Sequence, residues 1–187
     1  MIRHHYSIAL LALGWMLTGC AVSRTVPFNE ADFTHALKNG TSTVTGQAYV
    51  ITKDGTTYYA DHQVVVLAPV NAYTTENIRR RFVNGENLRS ADPRIDKYLR
   101  SAMTDATGHF VIRGVPAGEY YVDGAVPWVT SYNDVDSDGI STVMHVNHEK
   151  LYFTRISLKG GQTMHITKWD QRNPVYDSFY AYGGTLW

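Results

Sequence analysis

The sequence has one cysteine, Cys20, in 187 residues. Disulfide frameworks need pairs, and thiolate metal sites need several sulfurs, so neither can be built from this chain alone. It also lacks an excess of either charge. Lys and Arg number 17 and Asp and Glu number 17, which leaves no net field to draw the chain to nucleic acid. No long hydrophobic run is present: the stretch Ile8 to Leu17 falls short of the roughly 20 apolar residues that span a bilayer. Catalytic signatures are missing too. There is no His-x-x-Glu or His-Glu-x-x-His pair to hold a peptidase zinc. There is no Gly-x-Ser-x-Gly nucleophile elbow and no phosphate-cradling glycine loop. His145 and His148 lie three apart on a strand and a loop, and read as surface histidines. These absences point to a non-catalytic protein.

What is present begins at the N-terminus. Arg3, His4 and His5 form a short positive head, an uncharged apolar run follows, and small residues end it, which is the layout of an export signal. Leu17-Thr18-Gly19-Cys20 resembles a lipobox, the motif of bacterial lipoprotein signal peptides. The resemblance implies removal of residues 1–19 and acylation of Cys20 with diacylglycerol and palmitate-type chains. Two or more chains hold a protein stably on a membrane where one does not. Ala21 stands where an Asp would signal inner-membrane retention, so the implied address is the outer membrane, facing the periplasm.

Abundant Tyr (13) and Gly (15) suit an all-β protein with many turns. Residues 21–28 read as a tether. Asn29 is placed to cap a short helix through Lys38, with Phe33 and Leu37 on one face and Gly40 as the stop. From Thr41 the period changes to two. Strands are expected at Thr43–Ile51, Thr56–Ala60, Gln63–Ala68, Gly108–Ile112, Glu119–Val126, Thr142–Val146, Leu151–Leu158 and Thr163–Lys168. Gln63–Ala68 is apolar on both faces and so is expected to be central. Lys159-Gly160-Gly161-Gln162 is expected to close the last two strands as a hairpin. Residues 73–103 interrupt the pattern as a helical insertion. One helix there has a Thr75 cap and the apolar pair Ile78 and Phe82. A second starts at Asp92-Pro93, with Ile95, Tyr98 and Leu99 toward the sheet.

The segment Thr104-Asp105-Ala106-Thr107-Gly108-His109-Phe110, followed by Pro116-Ala117-Gly118-Glu119-Tyr120-Tyr121-Val122, resembles the carboxypeptidase regulatory-like domain. Val44-Thr45-Gly46-Gln47-Ala48 and Val64-Val65-Val66-Leu67-Ala68-Pro69 fit that family's first and third strands. The resemblance covers roughly residues 42–130. It implies a transthyretin-like (prealbumin-like) antiparallel β-sandwich of about seven or eight strands, here spanning 42–168. In it Phe110 and Tyr120 plug the core from neighbouring strands, and Asp105 with Gly108 makes a tight turn. Hydroxyisourate hydrolases of related fold end in Tyr-Arg-Gly-Ser, whereas this chain ends Gly183-Gly184-Thr185-Leu186-Trp187, which argues against that activity.

Three further features carry chemistry. Asp134, Asp136 and Asp138 alternate ahead of Gly139, and with the Ile140 carbonyl they match the first half of a Ca²⁺ loop. His145 stands where the closing Glu would be, so the candidate set is incomplete, and a solvated acidic loop is the plainer reading. No other cofactor is expected. Arg79, Arg80, Arg81, Arg89, Arg94, Lys97 and Arg100, against Glu76, Glu86, Asp92 and Asp96, make the insertion basic. The tail 169–187 carries Trp169, Tyr176, Phe179, Tyr180, Tyr182 and Trp187. Such rings suit a sheet-edge packing or a surface for a protein or glycan partner.

The expectation is therefore a lipid-anchored envelope module that binds a protein or glycan. The alternatives are a structural subunit of an envelope or secretion assembly and, third, a hydrolase without a recognised signature. Metabolic labelling with a fatty acid checks the anchor: Cys20→Ser is expected to abolish the label, and a labelled Cys20→Ser protein would refute lipidation at this residue.

Overall fold

Buried and exposed side chains alternate along Ser42–Gln47 and along His109–Val115, the period that lays one face of a strand on a core. The computed structural model describes residues 21–167, Trp169 and the backbone of 176–181. The expected leader (residues 1–19), Cys20, Tyr182 and Trp187 lie outside the described residues. Ten strands are present among them: β1 (Ser42–Gln47), β2 (Tyr49–Ile51), β3 (Thr57–Tyr59), β4 (Val64–Pro69), β5 (Arg100–Met103), β6 (His109–Val115), β7 (Gly118–Val135), β8 (Ser141–Leu158), β9 (Thr163–Ile166) and β10 (Tyr176–Ala181). They form a three-stranded sheet β6-β1-β9, a five-stranded sheet β10-β8-β7-β4-β5 and the small hairpin β2-β3. The protein is an all-β sandwich. Every paired strand is antiparallel except β1 and β9, which run parallel.

The core between the sheets gathers Val44, Val65, Leu67, Phe110, Ile112, Val115, Tyr120, Val122, Ile156 and Leu158. Burying each such side chain contributes roughly 1.5–3 kcal/mol. Two turns, among them the expected hairpin at Lys159–Gln162, are corners. Residues 116–117 pass the chain from β6 to β7, and residues 159–162 pass it from β8 to β9, each time into the other sheet. Phe110 and Tyr120 thus meet across the sandwich rather than along one sheet. The Tyr120 hydroxyl donates to the Pro116 carbonyl at 3.1 Å and braces the first corner, much as a tyrosine corner does in other sandwiches.

Thr142–Val146 and Leu151–Leu158, expected as two strands, are one. β7 and β8 pair without a break from Gly118–Leu158 to Val135–Ser141. The polar stretch Asn147 to Lys150 breaks the hydrophobic pattern but not the ladder, because backbone hydrogen bonds need no apolar side chains.

The insertion covers the outer face of the five-stranded sheet. Its first helix, α1 (Ala72–Asn77), is capped by Asn71 rather than Thr75. The Asn71 carboxamide accepts from Thr74 N–H at 3.0 Å, and Thr74 Oγ1 accepts from Asn71 N–H at 3.1 Å. A π-helical stretch Ile78–Val83 continues it, burying Ile78 and Phe82 on Tyr121, Leu151 and Phe153. A 3₁₀ helix, Pro93–Tyr98, follows its Asp92 cap. Residues 100–103 are strand β5, so the insertion ends sooner than expected.

The N-terminal helix Glu30–Leu37 begins at the expected Asn29 cap but is 3₁₀. Side chains three apart then share a face, which buries Phe33 with Ala36 and leaves Leu37 52% exposed. The segment before it is pinned to the fold, not a free tether. Val22 bridges Leu88. The Glu76 carboxylate, 1% exposed, accepts from Thr25 N–H (2.8 Å), Thr25 Oγ1 (2.7 Å), Val26 N–H (3.0 Å) and Arg80 (3.2 Å).

Burial opposes ionisation of Glu76, but the donors from Thr25, Val26 and Arg80 outweigh it and lower its pKa to about 2. A carboxyl lowered on folding stabilises above its unfolded value, and that gain is lost as pH falls through the folded one. The shift corresponds to on the order of 3 kcal/mol. Glu76→Gln is expected to lower stability by about 2–3 kcal/mol at neutral pH. It is also expected to flatten the acid limb between about pH 4.5 and pH 2. Denaturant unfolding across that range checks both.

Candidate functional site

Two concave regions stand out, one at the end of the sandwich and one under the insertion. The first lies between the β2-β3 hairpin and the middle of β7 and β8. Trp128 and His148 are cross-strand partners, and their rings stack 5.0 Å apart at 16°. Tyr58 on β3 stacks on Trp128 at 5.5 Å and 22°. Offset ring stacking of this kind adds about 0.5–1.5 kcal/mol per pair beyond burial. Thr130 Oγ1 and His148 Nε2 are hydrogen-bonded at 2.8 Å, which fixes the imidazole. Val50, Ile51, Lys53, Asp54 and Lys150 complete an open cleft of about 630 Å³. Burial pushes the Lys150 ammonium pKa down. Asp54 is held as a carboxylate by Thr52 and Thr56. The cleft combines the half-buried rings of Tyr58 and His148, stacked on a buried Trp128, with one acid, two amines and hydroxyls.

The second region is a cavity of about 230 Å³ between the insertion and the outer face of β4 and β7. Asp123, the cross-strand partner of Val66 and Phe153, lines it. No hydrogen bond to its carboxyl is present among the described residues. Burial pushes it up to about 7, against the pull of Arg81. Arg24 and Arg89 line the same cavity, as does Asp96.

No protein-family model matches the chain, and no curated protein matches it in sequence. A solved structure does. A Pseudomonas aeruginosa protein described as a "putative carbohydrate binding protein" superposes with a TM-score of 0.56 at 21% identity. The match covers 75% of this chain and 97% of that one. At that identity the likeness establishes a shared sandwich fold.

The aspartates of the candidate Ca²⁺ loop sit at the tip of the β7-β8 ribbon and are not drawn together. Asp136 Oδ1 accepts from Asp138 N–H at 3.0 Å and Ile140 N–H at 2.8 Å, while Asp134 is already in the ladder opposite Thr142. Gly139 takes φ +79°, open to glycine at no steric cost. The turn repeats that at Asp105, whose Oδ1 accepts from Thr107 N–H and His109 N–H at 2.8 and 3.0 Å, with Gly108 also at φ +79°. The Asp-x-x-Gly spacing thus builds a tight turn in both places, a hairpin between β7 and β8 and a passage between sheets from β5 to β6. Among the described residues no three His, Cys, Asp or Glu side chains group as metal donors.

Trp169 is packed rather than presented. Its Nε1 donates to the Gln47 carbonyl at 2.9 Å, and its ring meets Tyr152 at 4.6 Å and Phe110 at 6.0 Å. Tyr176 and Tyr180 belong to β10, whose backbone extends the five-stranded sheet beside β8. The stacked cleft was missed in the sequence because its three rings lie 20 to 90 positions apart. Asp123 was missed because an acid in a strand normally reads as solvent-facing.

An Asp raised on folding is costly wherever it must ionise: no cost below its unfolded value, full cost above about pH 7. Asp123→Asn is expected to raise the thermal midpoint, with a gain that grows from pH 4 to pH 8. Thermal melts at both pH values check this; an equal or negative shift at pH 8 rejects the burial account.

Proposed function

We propose that the protein is a non-catalytic, lipid-tethered envelope module whose Tyr58–Trp128–His148 cleft binds a glycan. The observation that carries this reading is the stack of three rings in an open cleft edged by Lys53, Asp54, Thr130 and Lys150. Sugars offer C–H faces that pack on aromatic rings and hydroxyls that exchange hydrogen bonds with acids, amines and hydroxyls. The fold likeness to a protein described as carbohydrate-binding supports the same reading. The pinned N-terminal segment supports tethering: an anchor at Cys20 would enter the fold two residues before the Val22 bridge, so the lipid would hold the domain close to the membrane.

Affinity electrophoresis through neutral polysaccharides and co-sedimentation with purified peptidoglycan sacculi test the site. At least one of these is expected to retain the protein. Retention should fall at least about tenfold in Tyr58→Ala and in His148→Ala, with circular dichroism unchanged. No retention by any of them, or equal retention by both variants, would sink the proposal.

A second reading, a structural subunit of an envelope assembly, draws on the far end of the β7-β8 ribbon. Val129, Val135 and Val143 share one face there and are 46–60% exposed, an apolar strip of the kind that marks protein contacts. Crosslinking that recovers a protein partner through this ribbon, unaffected by Tyr58→Ala, favours it.

A further inference from the structure

Four of the seven cations at 79–100 are engaged by other groups of the protein, and three are left without acids. Arg80 binds Glu76 and Glu86, Arg94 binds Asp92, Lys97 binds Glu30, and Arg100 donates to the Ala36 and Lys38 carbonyls. Among the described residues Arg79, Arg81 and Arg89 have no salt bridge, and two of these three line the cavity under the insertion. Arg24, on the pinned N-terminal segment, lines it too. It spends Nη2 on Asn77 at 3.1 Å and stacks over Tyr73, while its Nε and Nη1 are buried with no acceptor. A guanidinium edge shielded from water without an acceptor is costly. The cavity wall therefore carries more guanidinium groups than carboxyls, and one of them has donors for which the described residues supply no acceptor.

We propose that this cavity is a ligand site separate from the aromatic cleft, taking a small organic monocarboxylate. The carboxylate lies between Arg81 and Arg89, and the apolar body lies on Ile78, Ile95 and Leu99. Size sets the class. The cavity, at about 230 Å³, exceeds the ~150 Å³ that holds benzene and falls below the ~300 Å³ of common drug-sized pockets. One ring with one acidic group fits. Charge sets the sign. Three guanidiniums face two carboxyls, Asp96 and Asp123, so an anion is favoured over a cation. The fork geometry of Arg suits a carboxylate.

Asp123 on the cavity floor makes the site pH-sensitive. Arg24 from the N-terminal segment, Arg81 from the π-helical stretch, Arg89 from the following loop and Asp96 from the 3₁₀ helix line the cavity with it, and the Tyr152 phenol of β8 interacts with it electrostatically. The phenols of Tyr73 and Tyr121 are already engaged, with Asp92 N–H and Thr75 respectively. With its proton on, Asp123 adds no repulsion and can donate to the ligand; ionised, it repels the bound anion. Binding therefore takes up a proton, and affinity falls as pH rises through neutrality.

Calorimetric titration of the full-length protein with benzoate and with cyclohexanecarboxylate tests this, with benzylamine as the opposite-charge probe. Both carboxylates are expected to bind, about tenfold more weakly at pH 8.5 than at pH 6. Arg89→Gln, at an exposed position, should weaken binding at least about tenfold without affecting the fold. Asp123→Asn should flatten the pH profile, and Tyr58→Ala should change nothing, which separates this site from the glycan cleft. Absence of heat with both carboxylates, tighter binding of benzylamine, or full affinity in Arg89→Gln would overturn the proposal.

Discussion

The strands β7 and β8 carry apolar side chains on both faces, and water must be kept from each. Tyr120, Val122, Ile156 and Leu158 face the other sheet, while Tyr121, Leu151 and Phe153 point the opposite way. A two-layer sandwich covers only one of these faces. The other is closed by the insertion, which lays Ile78 and Phe82 on it. Once that third layer is needed, much else follows. The chain leaves β4 at Pro69 into the Asn71 cap, wraps across the outer face and returns as β5 on the sheet edge. Where the cover is incomplete, the cavity above Asp123 remains.

Holding the cover in place falls to a buried carboxylate. Glu76 sits on α1 and gathers donors from Thr25, Val26 and Arg80. Burial alone would make an ionised Glu unfavourable, and the charge is tolerated because it is fully hydrogen-bonded. The same contacts tie residues 22–26 to the insertion. A chain anchored at Cys20 would thus present the sandwich in a restricted orientation rather than on a loose string.

The two concave regions differ in kind. The end cleft is wide and aromatic, with its rings held by stacking and by the Thr130–His148 hydrogen bond, which suits a flat polar ligand. The cavity under the insertion is small, with an apolar wall and more guanidiniums than carboxyls. An acid kept at the centre of a sheet face, at a cost to stability, is the kind of feature that function rather than folding retains.

Local chemistry was legible from the residues alone. The β-period, the Asn29 and Asp92 caps, the buried pair Ile78 and Phe82, the Asp105–Gly108 turn and the all-β class all depend on neighbours within a few positions. What needed the tertiary structure was which sheet each strand joins. Pro116–Gly118 and Lys159–Gln162 have turn chemistry whether the chain reverses within a sheet or crosses to the other. The same holds for the sites. Asp136 reads as a metal ligand by its spacing, and only the fold shows that its Oδ1 accepts from the backbone of its own turn. Tyr58, Trp128 and His148, or Arg24, Arg89 and Asp123, have no spacing that marks them. Sequence by itself determined the β-period and the tight turns, because hydrogen bonding and side-chain alternation act locally, but not β5 or the continuity of β8. Only the folded chain decided the clefts, because burial and long-range proximity set which rings stack and which charges go unpaired.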